Sequence, residues 1–216
     1  MLTLHYYPGN ASLAPHVLLR EIGVPFELAL VDRTRNAHKS AAYLKLNPNG
    51  LIPVLQDGDL VMYETAAICL HLADTHAAAR LAPPLGSAER ARFYQWLMWL
   101  TNTLQATLIH YFYPQQLAGD GDATTASQVQ AQAERRIGTM LQQLDDQLAA
   151  HGGPWLLGAD YSAVDPYAWM LGRWTRGFGT RPAREYPHLG PYLQRMLERP
   201  ALQRVLADEG LAQPWV

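Results

Sequence analysis

The chain has 216 residues, 49% of them hydrophobic and 17% charged, with a formal net charge of −2. That is enough apolar material for one large core or two small ones, and the near-neutral balance sets up no field for nucleic acid or anionic lipid. The apolar runs are too short to span a bilayer, and the single cysteine, Cys69, excludes an intrachain disulfide and suits a reducing compartment.

The first residues, MLTLHYYPGN, run straight into a strand, without the charged and apolar regions of a secretion signal, so a soluble cytoplasmic protein is expected. Leu2–Tyr7 alternates as a short strand and stops at Pro8-Gly9. Ser12–Ile22 reads as a helix, with Leu13, Val17, Leu18 and Ile22 on one face and Ser12 as its N-cap. Gly23-Val24-Pro25 ends it, and Phe26–Val31 is a second strand. Strand, helix and strand in so few residues make a βαβ unit, hence a parallel pair.

Asn47-Pro48-Asn49-Gly50 is a dense turn signal. After it, Leu51–Leu55 and Leu60–Tyr63, reversed at Asp57-Gly58, read as a β-hairpin. Pro53 within that first run belongs at an edge or a strand start, because proline lacks a ladder donor. Glu64-Thr65 then precedes the helical run Ala66–Leu72. The order βαβ-ββα is the thioredoxin-like arrangement, but no C-x-x-C is present and dithiol chemistry is not expected.

Pro83-Pro84 and Gly86 mark a linker, and nearly everything beyond reads as helix. The expected domains are 1–78, thioredoxin-like, then a linker over 79–86, then an all-α domain over 87–216. One long aromatic-rich helix runs from Ser87 to about Tyr113, and another from Thr125 to about Ala150, with a polar loop at Gly119-Asp120-Gly121-Asp122 between them. Ser162 and Asp165 have the spacing of a capping box, with a structural role. The eight histidines are scattered without metal-ligand spacing, so no metal is expected. Gly177-Phe178-Gly179 lacks the third glycine of a dinucleotide loop.

On spacing alone, residues 49–65 are most often an ordinary hairpin and a capped helix. The same pattern also suits a small peptide: a free backbone edge at Ile52-Pro53, with that bond cis, and a helix start at Thr65 that attracts a carboxylate. The N-P-x-G-x-[IV]-P-x-L run over Asn47–Leu55, the hairpin and the Glu64-Thr65 pair opening a helix resemble the glutathione-binding half of the cytosolic glutathione transferases. Residues Pro8–Glu21 are similar to the bacterial types of that family.

The resemblance implies glutathione as co-substrate, a hydrophobic electrophile as acceptor, a detoxifying role, a homodimer and no metal. It implies that Leu51, Ile52 and Pro53 meet the cysteinyl part of glutathione. Glu64 would take its ammonium, Thr65 its γ-glutamyl carboxylate, and His38, with Lys39 beside it, its glycine carboxylate. Thiolate is the nucleophile and a donor near sulfur favours it, so Ser12, with Asn10 second, is the expected catalytic group. Relatives of the bacterial type carry cysteine where Ala11 stands, which argues against a mixed disulfide at this position. Tyr7, Thr103, Thr107 and His110 are the expected acceptor-site residues, with Trp215 as a lid. A stripe such as Trp96, Trp99, Leu100, Thr103, Leu104, Thr107, His110 and Tyr111 is more often core than site. The alternatives are a non-catalytic binder of glutathione or apolar ligands, and a glutathione-dependent isomerase or disulfide reductase.

Overall fold

In a computed structural model, residues 1–119 and 121–216 are described. They cluster into two compact units: Met1–Pro83 with Leu197–Gln213, and Pro84–Met196 with Pro214–Val216.

The first unit is built on a four-stranded sheet of order β2-β1-β3-β4. β1 (Leu2–Tyr6) and β2 (Phe26–Leu30) are parallel, with Leu2 opposite Phe26 and Tyr6 opposite Leu30. β3 (Val54–Asp57) and β4 (Leu60–Tyr63) form the expected antiparallel hairpin, and β3 also pairs antiparallel with β1. Between β1 and β2 runs α1 (Leu13–Ile22), closed at Gly23, whose φ of 76° only glycine adopts without strain. A short helix, α2 (Ala41–Leu44), precedes β3, and α3 (Thr65–Thr75) follows β4. The βαβ-ββα order is therefore present.

The hairpin corrects one expectation. Its first strand begins at Val54 rather than Leu51, and β3 lies inside the sheet rather than at an edge. Leu51–Pro53 is a loop because the Leu51 carbonyl is taken by the Tyr43 hydroxyl and by Asn47 Nδ2, each at 2.8 Å. Pro53 thus stands just before the strand, where its missing donor costs no ladder bond.

α1 is buried along Leu13–Leu19, which its one-faced pattern does not foretell. The reason lies near the other end of the chain. α10 (Pro200–Asp208) packs on α1, Arg20 donates to Asp208 at 2.7 Å, and Arg199 makes paired bonds of 2.6 and 2.8 Å to Glu21. A helical domain is expected over 87–216, yet Leu197–Gln213 belongs to the first unit through these contacts.

The second unit is helical. α4 (Ala88–Trp99) is capped by Ser87, which accepts the Arg90 N–H at 3.1 Å. A π-helical segment, Leu100–Gln105, joins it to α5 (Ala106–Phe112), so the expected long helix carries a wider turn in its middle. α6 (Gln115–Ala118) is one short turn. The expected polar loop includes Asp120, which lies outside the described residues; beyond it Asp122 accepts the Thr125 N–H at 2.9 Å and starts α7 (Ala123–His151). α8 (Val164–Trp174) and α9 (Leu189–Leu197) complete the elements of this unit. Of the long stripe, Trp96, Leu100, Leu104 and Thr107 are buried, as are Ile137, Leu141 and Trp169, while Trp99, Thr103, His110 and Tyr111 are half-buried, so half of the stripe is core. Among the described residues no helix is long and apolar enough to cross a membrane.

The capping box at α8 forms by half. Asp165 Oδ2 accepts the Ser162 N–H at 2.8 Å, as expected, but no side chain caps the helix and the Ser162 hydroxyl faces the same carboxylate at 3.4 Å. Asp165 also accepts the Leu156 N–H at 2.9 Å and the Tyr192 hydroxyl at 3.0 Å. It is fully buried, and burial pushes its carboxyl up to about 6.

Candidate active site

The register brings one set of chain ends together. His5 near the end of β1 lies opposite Val54 at the start of β3, which lies opposite Tyr63 at the end of β4. The loop after β1, the loop before β3 and the start of α3 therefore meet at a single end of the sheet, and the expected glutathione residues other than His38 sit on them.

The loop Tyr7–Ser12 is closed by backbone bonds from the Asn10 N–H to the Tyr7 carbonyl and from the Leu13 N–H to the Asn10 carbonyl, 3.1 and 3.0 Å. Gly9, at φ 67°, gives its N–H to Glu209 Oε2 at 2.7 Å. Glu209 Oε1 in turn receives His16 Nδ1 at 2.8 Å, and His16 is fully buried in α1. A carboxylate two hundred residues away thus holds the loop. No local signal announced it.

Ser12 is not where the sequence led us to expect it. Its side chain is wholly buried, makes no capping bond to α1, and donates to the Tyr7 carbonyl at 3.2 Å while accepting the Tyr7 N–H at 3.3 Å. A hydroxyl so engaged faces inward and has no proton left for a ligand. Asn10 is half-exposed, and its Oδ1 accepts the Ala11 N–H at 2.8 Å. That bond fixes the amide flip: the oxygen faces the chain and the NH₂ faces away, without a partner among the described residues. The methyl of Ala11 is buried beside it.

Thr65 opens α3, as expected, and its hydroxyl donates to the Ala11 carbonyl at 3.4 Å, tying the helix start to the loop. α3 has no side-chain cap and no acidic residue in its first turn, so no side chain of its own neutralises its leading N–H groups. The residue before it, Glu64, is exposed and held at φ 76° and ψ 113°, a backbone region costly for any side chain.

The peptide N–H and C=O of Ile52 have no hydrogen-bond partner among the described residues, and Ile52-Pro53 is cis. The Ile52 side chain packs with Val31, Tyr43 and Val54, against which Tyr7 also rests. Leu51 is exposed. Asn47 sets this geometry by accepting the Asn49 N–H at 3.0 Å with its side chain and the Gly50 N–H at 2.9 Å with its carbonyl. Gly50, at φ 59°, is indispensable: a Cβ there would stand 2.8 Å from the His38 carbonyl. The His38 stretch therefore abuts the Ile52 loop.

Burial, followed by the nearby Arg33 and Lys39 charges, lowers the proton affinity of His38 below the usual histidine range. Its buried Nδ1 has no hydrogen-bond partner. A neutral imidazole recognises a carboxylate as a hydrogen-bond donor, whereas the resemblance implied a basic group. Lys39, beside it, donates to the Asn49 carbonyl at 3.2 Å through its side-chain nitrogen.

The remaining candidates lie in the second unit, apart from Tyr7. Thr107 is buried and its hydroxyl donates to the Thr103 carbonyl at 2.7 Å. Thr107 and half-buried His110 line one cavity; Thr103 and Trp215 do not. The Trp215 carbonyl accepts a bond from Arg173 in α8, which anchors the chain near its end. Among the described residues no cluster of three metal-ligating side chains occurs.

Residues 11–75 match the family described as glutathione S-transferase, N-terminal domain, and residues 108–209 its C-terminal domain. Over 213 residues the chain is 30% identical to the glutathione S-transferase GstA of Escherichia coli O157:H7, covering 97% of this chain and all of that protein. A sphingomonad glutathione S-transferase structure, complexed with glutathione, is 33% identical with a TM-score of 0.83, covering 97% and 100% of the two chains. A glutathione transferase homologue from Sulfitobacter with bound glutathione is 26% identical with a TM-score of 0.87, covering 98% and 99%.

Proposed function

The chain belongs to the glutathione S-transferase family, and from that premise we propose that it activates the glutathione thiol for attack on a hydrophobic electrophile. In this reading the peptide of Ile52 receives the cysteinyl backbone as a short strand addition. The uncapped start of α3 takes the γ-glutamyl carboxylate, Thr65 lies beside it, and exposed Glu64 takes the ammonium. His38 and Lys39 meet the glycine carboxylate. The reaction needs no metal: thiolate forms when the thiol proton leaves to solvent, carbon–sulfur bond formation follows, and the leaving group departs with its electron pair.

One observation favours Asn10 as the catalytic group. The Ser12 hydroxyl is spent on Tyr7, whereas the Asn10 NH₂ is turned outward at the same loop. Asn10 is then the donor that stabilises sulfur, and Ser12 is a positioning residue that keeps the loop closed. Ala11 removes the option of a mixed disulfide at this position, which disfavours the reductase alternative. A homodimer, a cytoplasmic location and a detoxifying role belong to the same proposal, by analogy with the family.

The test is a titration with glutathione across about pH 5 to 9, following heat and the ultraviolet absorbance of thiolate. Binding with the thiol shifted down to about 6–7 is expected. Binding with an unshifted thiol would make the protein a ligand carrier, and absence of binding would confine the family likeness to the fold.

A further inference from the structure

In the first unit, the loop that carries Ile52 hangs on two side chains of the turn before it. Asn47 follows Tyr43 by four residues, and its N–H donates to the Tyr43 carbonyl at 3.0 Å, a helical turn that puts both side chains on one side. They converge on a single atom: the Tyr43 hydroxyl and Asn47 Nδ2 each donate to the Leu51 carbonyl at 2.8 Å. Both residues are buried.

A buried tyrosine ordinarily gives its hydroxyl to a nearby carbonyl with no consequence beyond the core. This carbonyl differs, because it shares a planar trans peptide with the Ile52 N–H, and the two point in opposite directions. Two buried donors that draw the Leu51 oxygen toward them therefore turn the Ile52 N–H the other way, where it has no partner among the described residues. They also polarise the peptide, which strengthens that N–H as a donor. Both donors are held in place. The Tyr43 ring packs with Val31, Ile52 and Val54 and meets the His5 ring edge-on at 6.0 Å. Asn47 Oδ1 accepts the Asn49 N–H, which leaves Nδ2 to face Leu51. Burial raises the Tyr43 phenol above its usual range, so it keeps the proton it donates.

We infer that Tyr43, with Asn47, is a positioning residue for glutathione: through the Leu51 carbonyl, its hydroxyl aims the Ile52 N–H at the cysteinyl backbone. This rests on the transferase reading and deepens it by separating binding from chemistry. Sulfur is stabilised at the Tyr7–Ser12 loop, so the Tyr43 hydroxyl contributes to affinity alone, equally before and during reaction. Tyr43→Phe keeps the ring and its packing and removes one of the two donors.

The experiment is calorimetric titration of the full chain and of Tyr43→Phe with glutathione and with S-methylglutathione, which has no thiol proton. Tyr43→Phe should weaken both ligands by the same factor, about fivefold. It should leave the bound thiol, followed by its ultraviolet absorbance, titrating where it does in the parent chain. In amide nuclear magnetic resonance the Ile52 proton should move downfield when glutathione binds the parent, and less far in Tyr43→Phe, a response that a tyrosine merely filling the core would not alter. Asn47→Asp, which keeps the acceptor for the Asn49 N–H and removes the other donor, should weaken both ligands at least as much, and melting curves check that each variant is folded. The role of Tyr43 is refuted if either folded variant binds as tightly as the parent, if the loss differs between the two ligands, or if the Ile52 proton responds alike in parent and Tyr43→Phe. A parent chain that binds no glutathione overturns the transferase reading itself, whereas binding by the parent with unchanged affinity in Tyr43→Phe overturns the role of Tyr43 alone.

Discussion

The start of α8 and the starts of α1 and α3 are built in opposite ways. At α8 a buried carboxylate from within the helix gathers two backbone N–H groups and two hydroxyls, and nothing is left for a ligand. At α1 and α3 no side chain caps the helix and no acid stands in the first turn, although Ser12 and Glu64 occupy the capping positions. Ser12 turns inward to Tyr7, and Glu64 is held at positive φ with its side chain exposed. A helix start that completes its own bonds serves the fold; one that lacks a side-chain cap and a first-turn acid can serve a ligand.

The comparison breaks most severely at Asp165. Asp165→Ala orphans the N–H groups of Ser162 and Leu156 and the Tyr192 hydroxyl in the core, and a loss of about 3–5 kcal/mol is expected, read by denaturant unfolding. Asn10→Ala tests the other side: stability should hold, glutathione should still bind, and the conjugation rate should fall about 10²-fold, near 2.7 kcal/mol, as when one donor is removed from a charge-stabilising site. An unchanged rate would shift the role to backbone N–H groups.

Titration sharpens the contrast further. Burial raises Asp165 from 3.8 to about 6, so the folded chain holds that proton more tightly than the unfolded chain. The stability it contributes is fully present below the unfolded value and is lost as pH rises through about 6, a decline of about 3 kcal/mol. Asp165→Asn should flatten the unfolding free energy between about pH 4 and 6. The smallest effect is expected at Ser12. Ser12→Ala frees the Tyr7 peptide groups in a buried setting, at about 1–2 kcal/mol of stability, with catalysis impaired only as far as the loop shifts. A rate loss as large as that of Asn10→Ala, without loss of stability, would restore Ser12 as the sulfur donor.

Much of the first unit was legible because its signals are local. The turn at Asn47–Gly50, the Asp57-Gly58 reversal and the helix start at Thr65 each follow from residues a few positions apart. The hairpin began three residues late because Tyr43 and Asn47 take the Leu51 carbonyl, and no alternation pattern reports a side chain's distant partner. Ser12 misled for a related reason: serine before an apolar run is a good cap by composition, yet its oxygen accepts the Tyr7 N–H instead of a helix N–H.

The sequence by itself determined the order of the elements, the glycine turns, the glutathione-binding pattern and the absence of a cysteine at position 11, since each depends on residue type and short spacing. Only the tertiary structure decided which polar groups are spent and which remain open. It brought Glu209 to Gly9, turned Ser12 inward, left the Asn10 NH₂ and the Ile52 peptide without partners among the described residues, and lowered the proton affinity of His38 by burial. Hydrogen-bonding capacity is settled by which groups meet in three dimensions, and those meetings join parts of the chain that no local pattern connects.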